Sequence, residues 1–255
     1  MTAPPSHPSS LAVPAIEFDH ASFRLNGRAL LQDLVLSVKQ GETLVLLGRS
    51  GSGKTTTLKL INRLLLPTSG EVRVNGQPTA EWDPIRLRRS IGYVIQDGGL
   101  FPHFTVERNI ALVPRIENWP RVRVEARVRE LLATVGLNAD LASRYPRQLS
   151  GGQRQRVGVA RALAADPPIL ILDEAFGALD PITRSEMQKE FRSLQQRMRK
   201  AVIFVTHDLR EALLLGDRIA LMEEGRLIVD LPVAKFSRSE DPLVRAYVEA
   251  FSALP

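Results

Sequence analysis

Glu42-Thr-Leu-Val-Leu-Leu47-Gly48-Arg-Ser-Gly-Ser-Gly53-Lys54-Thr55 is the stretch from which the rest of the chain can be read. Glu42–Leu47 is a short apolar run, the pattern of a strand buried on both faces. The eight residues after it run glycine, any four residues, glycine, lysine, then serine or threonine. Lys54–Leu66 carries apolar residues at helical spacing, with Leu58, Ile61, Leu64 and Leu65 on one side and Pro67 as the stop. A strand that ends in a glycine-rich turn and re-enters as a helix builds an anion site. Glycines let the backbone curl until successive N–H groups point inward, and the helix start adds its positive end. Lys54 supplies a mobile cation for the terminal phosphates of a triphosphate, and the Thr55 hydroxyl is a ligand for Mg²⁺. Gly48, Arg49, Ser50, Gly51, Ser52, Gly53, Lys54, Thr55 and Thr56 are the candidate nucleotide contacts.

Two distant segments bear on the same chemistry. Ile169-Leu-Ile-Leu172 is another buried-type strand and ends in Asp173-Glu174. Acids at the carboxyl end of such a strand lie where ligands bind in open α/β folds. Asp173 is the candidate to hold Mg²⁺ through water, and Glu174 the candidate general base for the attacking water. Leu149-Ser150-Gly151-Gly152-Gln153 opens a good helix, Arg154–Leu163. Ser150 is a natural N-cap, and the two glycines allow an anion close to the backbone. A capped surface helix has no need of both glycines, and one triphosphate rarely needs two such poles from one chain.

Around these motifs, short strands alternate with helices, which predicts an α/β domain with a mainly parallel sheet. Ile16–Leu25 and Leu30–Val38 read as strands joined at Asn26-Gly27, and Glu71–Val74 runs into Asn75-Gly76; these hairpins predict an antiparallel sheet beside the parallel one. Ile91–Ile95 and Ala201–Thr206 are further strands, and Asp217–Leu221 with Arg226–Asp230 form a hairpin around Met-Glu-Glu-Gly. Residues 97–165 read as helical. There Val124, Val128, Leu131, Leu132 and Val135 form a stripe, and Arg121, Arg123, Arg127 and Arg129 read as a solvated face. The 255 residues, 44% apolar and 24% charged, suit one large globular domain. With no cysteine, disulfide frameworks and thiolate metal sites are excluded, and the four scattered histidines suggest no metal cluster. The net charge of +6 is spread rather than blocked, which disfavours nucleic acid as a partner. No apolar run approaches the roughly 20 residues that cross a bilayer. Residues 1–14 read as a loose tail without a secretion signal, residues 15–250 as the domain and 251–255 as a tail.

The order and spacing of these motifs resemble the ABC transporter nucleotide-binding family over residues 16–250. The resemblance implies a P-loop NTPase (RecA-like) core with an N-terminal antiparallel β subdomain and an inserted α-helical subdomain at about 97–165. It makes Leu149–Gln153 the family's signature, Gln96 the glutamine-loop residue near the metal, Ala178-Leu179-Asp180 the D-loop and His207 the switch histidine. It also implies a head-to-tail homodimer in which ATP and Mg²⁺ lie between the phosphate loop of one subunit and Ser150–Gln153 of the other. Where the family stacks adenine on an aromatic, this chain has Leu25, two residues after Phe23, which itself reads as core or as a neighbour that helps. The stretches Ile91–Pro114, Ile61–Val72 and Asp173–Arg184 look like ATPases of importers for glycine betaine, choline and carnitine. That likeness implies transmembrane permease subunits, an extracytoplasmic substrate-binding protein acting indirectly, and a peripheral place on the cytoplasmic face of the membrane. Permease contact is expected around Gln96–Phe104, with Leu100, Phe101, Pro102 and Phe104 as candidates, each equally readable as core. Paired CBS repeats, common at the C-terminus of such ATPases, are not expected before Pro255. Only 5% of residues are aromatic, so no cage for a quaternary amine is expected in this chain. Other cargoes, export, and a non-transport ABC ATPase stay open as alternatives.

Overall fold

The computed structural model describes residues 13–95 and 99–252. Strands β1 (Ile16–Leu25) and β2 (Arg28–Val38) form the first hairpin. Its turn residues Asn26 and Gly27 both have positive φ, 50° and 78°, as a type I′ turn requires. Then come β3 (Thr43–Leu47), helix α1 (Lys54–Ile61), β4 (Ser69–Val74), β5 (Gln77–Pro78), α2 (Pro84–Arg89) and β6 (Ile91–Val94). Helices α3 (Val106–Ile110), α4 (Leu112–Ile116) and α5 (Arg121–Thr134), two 3₁₀ turns, and α6 (Gly151–Leu163) follow. The chain returns through β7 (Ile169–Asp173), α7 (Pro181–Met198), β8 (Ala201–Thr206), α8 (Leu209–Leu215), β9 (Arg218–Glu223), β10 (Arg226–Pro232), α9 (Val233–Phe236) and α10 (Pro242–Ser252).

Two sheets result. One is antiparallel in the order β2-β1-β4-β5; the other has the order β10-β9-β3-β8-β7-β6, with β9, β3, β8, β7 and β6 parallel. β3 sits inside the second sheet, and its five residues are all buried. Leu44 and Leu46 point into the core shared with the antiparallel sheet, while Val45 and Leu47 join the core under the helices. That two-sided burial is what the unbroken apolar run of β3 encodes. No helix among the described residues is long and apolar enough to cross a membrane.

Two readings are revised. The helix expected over Lys54–Leu66 ends at Ile61: Asn62 accepts from Leu64 N through Oδ1 at 3.1 Å, and Arg63 turns left-handed at φ 53°. Leu64 and Leu66 are left exposed beyond the turn. Arg127 is not a solvated residue. Its guanidinium donates to the carbonyls of Leu163 at 2.9 Å and Ala164 at 3.3 Å, satisfying the end of α6.

Candidate functional site

The register of the parallel strands gathers three loops at one edge. Leu47 pairs with Thr206 and Asp173 with Val205, so the residues that follow β3, β7 and β8 emerge side by side. These are the phosphate loop, Glu174 and His207. Arg49, Ser50, Glu174 and His207 line one cavity of about 550 Å³, whose opposite wall is the Leu243, Ala246, Tyr247 and Ala250 face of α10.

The loop's shape depends on its glycines. Gly53 has φ 103°, and a Cβ there would lie 3.0 Å from Leu30 O and 3.2 Å from Gly225 Cα. A Cβ at Gly48 would meet Met222 O at 2.3 Å. The β9–β10 turn braces the loop from outside, since Gly225 N donates to Ser52 O at 3.1 Å and Gln32 N to Gly225 O at 2.7 Å. α1 starts after Gly53 with no side-chain cap, so its first amides meet no protein side chain there. Thr55 and Thr56 stand in this first turn, Thr55 exposed. Lys54 is buried and folds back, Nζ donating to Gly48 O at 2.6 Å and Arg49 O at 2.8 Å. Burial pushes its pKa down, and Glu174 and Asp173 pull it partly back. A triphosphate fits this cradle: a mobile cation, an uncapped helix start and a backbone that admits no Cβ.

Asp173 ends β7 half-buried. Burial raises its pKa, while a hydrogen bond from Tyr93 Oη to Oδ2, 3.1 Å, and the charge of Lys54 lower it. Among the described residues no cluster of three or more acidic, histidine or cysteine groups could hold a metal. One carboxylate and one threonine hydroxyl beside a phosphate cradle suit Mg²⁺, which keeps several waters and takes phosphate oxygens. Glu174 holds a left-handed backbone, φ 47°, at a cost on the order of 1–3 kcal/mol. It is fixed there by its N–H to Val205 O at 3.0 Å and by four buried residues of β7 behind it. Its Oε1 lies 3.6 Å from His207 Nδ1. His207 is 64% exposed, but its neighbours are pinned. Thr206 Oγ1 donates to buried Glu211 at 2.5 Å and accepts from Asp208 N at 3.0 Å.

Ser150–Gln153 are not in this cavity. They open α6 with a complete capping box: Ser150 Oγ accepts from Gln153 N at 3.2 Å and Gln153 Oε1 from Ser150 N at 2.9 Å. Asp180 sits beside them, capping α7 by accepting from Thr183 N at 3.1 Å. A Cβ on Gly152 would lie 2.7 Å from Thr183 Cγ2 and one on Gly151 3.6 Å from Leu179 Cδ2, so the start of α6 packs against Leu179 and the first turn of α7. Leu25 is exposed at the end of β1, whereas Phe23 is buried in the core and offers no face to an adenine. Gln96 lies outside the described residues. Sequence reasoning missed Tyr93 and the α10 wall. Tyr93 reads there as one residue of a strand, and α10 begins 35 residues after His207.

Residues 31–177 match the family model described as ABC transporter. The glycine betaine/carnitine/choline transport ATP-binding protein OpuCA of Bacillus subtilis is 50% identical over 202 residues, 79% of this chain and 53% of that protein. The glycine betaine uptake system ATP-binding protein YehX of Escherichia coli is 46% identical over 233 residues, 91% of this chain and 76% of that one. The chain thus spans about half the length of some curated relatives and more of others. Its fold is similar to the post-hydrolysis dimer of the ATP-binding cassette MJ0796 bound to ADP and Pi, with TM-score 0.75, 32% identity, and 86% and 98% of the two chains covered.

Proposed function

The chain belongs to the ABC transporter family, and from that premise we propose that it is the ATP-binding and ATP-hydrolysing subunit of an importer for quaternary-amine osmoprotectants such as glycine betaine or choline. The observation that carries the ATPase reading is the shared edge where Lys54, Asp173, Glu174 and His207 meet the glycine loop. Cargo is supported by the relatives named above, whose printed names cite these compounds.

The residues divide the work. The phosphate loop binds the triphosphate, and Lys54 exchanges its carbonyl partners for phosphate oxygens. Thr55, Asp173 and, as the resemblance implies, Gln96 would hold Mg²⁺, and the ion would supply positive charge beside the phosphates. Glu174 takes the proton of the attacking water, and His207, oriented by Thr206 and Asp208, contacts the terminal phosphate. The second pole, Ser150–Gln153, serves the nucleotide of a second copy. The likeness to a solved dimer bound to ADP and Pi supports that arrangement. ATP then bridges two chains, and cleavage separates like charges and opens the pair.

Permease contact belongs to the loop between β6 and α3. Phe101, His103 and Phe104 form an aromatic knob with ring centroids 4.6–6.1 Å apart, and Phe101 is 40% exposed. Buried Asn109 stiffens it, accepting from Phe101 N at 2.8 Å and donating to the carbonyls of Phe101, Phe104 and Thr105. Arg161, three turns along α6 from the signature, donates to Gly99 O at 2.7 Å. A push on the knob therefore reaches the second pole. Such a complex places the chain peripherally on the cytoplasmic face of the membrane, with an extracytoplasmic binding protein choosing the cargo. Uptake of radiolabelled glycine betaine, choline and carnitine by a deletion strain carrying the chain tests the reading. Restored uptake of one of them is expected, and restored uptake of none, with all subunits expressed, rejects this cargo.

A further inference from the structure

The buried face of α8 carries one charged residue. Leu209, Ala212 and Leu215 are buried there, and so is Glu211, which is 5% exposed. Its carboxyl oxygens are taken by a hydroxyl and an amide rather than by a cation. Thr206 Oγ1 donates to Oε2 at 2.5 Å, and Gln188 Nε2, on α7, donates to Oε1 at 2.9 Å. Thr206 and Gln188 are buried as well, so water does not compete for these bonds. Burial pushes the Glu211 pKa up, and the Thr206 bond pulls it partly back. A buried acid bonded only to neutral groups costs the fold, and an apolar side chain would suit this face of α8. Stability therefore does not account for Glu211, whereas the bond it makes beside the nucleotide site does.

Thr206 immediately precedes His207. Its hydroxyl has one proton to give and lone pairs with which to accept. With the proton directed to Glu211, a lone pair is left for Asp208 N, which donates to it at 3.0 Å. Asp208 in turn caps α8, its Oδ1 accepting from Arg210 N at 2.7 Å. The backbone on both sides of His207 is thus held from beneath by one hydroxyl, and Glu211 sets the direction of that hydroxyl. The ring needs such support. It is largely exposed and stands 3.6 Å from Glu174 Oε1, too far for a hydrogen bond.

Resting on the assignment of His207 to the terminal phosphate, we propose that Glu211 is a positioning residue for hydrolysis, acting through the Thr206 hydroxyl on the backbone that aims the His207 ring. Gln188 acts one step further back, by fixing the carboxylate. Misaiming a group at the reacting phosphate slows the chemical step and leaves the phosphate loop's grip on the nucleotide intact.

Phosphate release, fluorescent-nucleotide affinity and thermal midpoints of the full chain test this. E211L should lower turnover about fivefold to a hundredfold, the range for one buried hydrogen bond, with nucleotide affinity within about twofold of the unaltered value. E211Q keeps an amide oxygen that can accept from Thr206, and it should restore turnover to within about threefold. Should E211L fold poorly, T206V/Q188L/E211L also removes the orphaned partners, and replacing all partners by apolar groups of similar shape is close to neutral for stability. That protein should melt like the unaltered chain and still be slow. Unaltered turnover in either leucine variant, E211Q as slow as E211L, affinity falling in step with turnover, or a triple variant that does not fold overturns the proposal. H207A tests the assignment beneath it. Turnover by H207A at the unaltered rate overturns the role of His207 and this proposal with it, whereas a slow H207A beside a fast E211L rejects the proposal alone.

Discussion

The helix starts at Lys54 and at Gly151 are the same device in two states of completion. At the first, the cap position is a left-handed glycine with no side-chain cap, and the turn is braced by Leu30, Met222 and Gly225. Its lysine is buried and already points at the loop. At the second, Ser150 and Gln153 satisfy one another; Gly151 is exposed at the helix end near Leu179, and Gly152 is buried against Thr183. The first start is thus a finished cradle within one chain. The second is self-capped and lies outside the cavity that Lys54 and Glu174 share, and under the proposed function it meets a nucleotide held by another copy.

Four substitutions break or sharpen that contrast. Glu174→Gln leaves both poles in place and removes only the base. Turnover should fall about 10²- to 10⁴-fold, and size-exclusion chromatography with MgATP should show a dimer; rapid turnover by this variant would remove Glu174 from the base role. Lys54→Ala attacks the finished pole, and fluorescent-nucleotide titration should show affinity reduced by about 10- to 100-fold, as for loss of a charge-assisted contact. Gly151→Asp attacks the second pole. A Cβ there meets only Leu179 and Arg154 side chains at 3.6 Å and beyond, so the fold tolerates it while the carboxylate repels phosphate. Phosphate release should drop by about tenfold or more with monomer affinity for nucleotide unchanged; equal loss of both would place Gly151 in the same site as Lys54. Leu25→Tyr is the smallest change, adding a ring at an exposed position, and should tighten ATP by about threefold through stacking.

Legibility in the sequence followed the locality of the physics. The phosphate loop, the Asp173-Glu174 pair and the Ser150 cap each rest on contiguous residues, and their types state their chemistry. The hairpins were equally plain, because Asn26-Gly27 and Asn75-Gly76 need positive φ at both positions and have it. α1 was overextended since Leu64 and Leu65 continue the apolar spacing, whereas the helix ends through an Asn62 side-chain bond that periodicity does not record. The Arg127 anchor depends on carbonyls 36 and 37 residues away, and Tyr93 on a carboxylate 80 residues away. α7 escaped a prediction of its own because only Met187, Phe191 and Leu194 give it an apolar face.

The central claim is that one nucleotide is gripped by Lys54 of one chain and Gly151 of another, and mixing two inactive proteins tests it most directly. In a heterodimer of K54A and G151D chains, both defects fall on one composite site and the other site keeps an intact phosphate loop and an intact signature. Phosphate release assayed on an equimolar mixture should rise well above that of either protein alone, towards about a quarter of the unaltered value, since half the dimers are mixed and each mixed dimer has one intact site of two. A mixture that forms heterodimers and stays as inactive as its components would contradict the account.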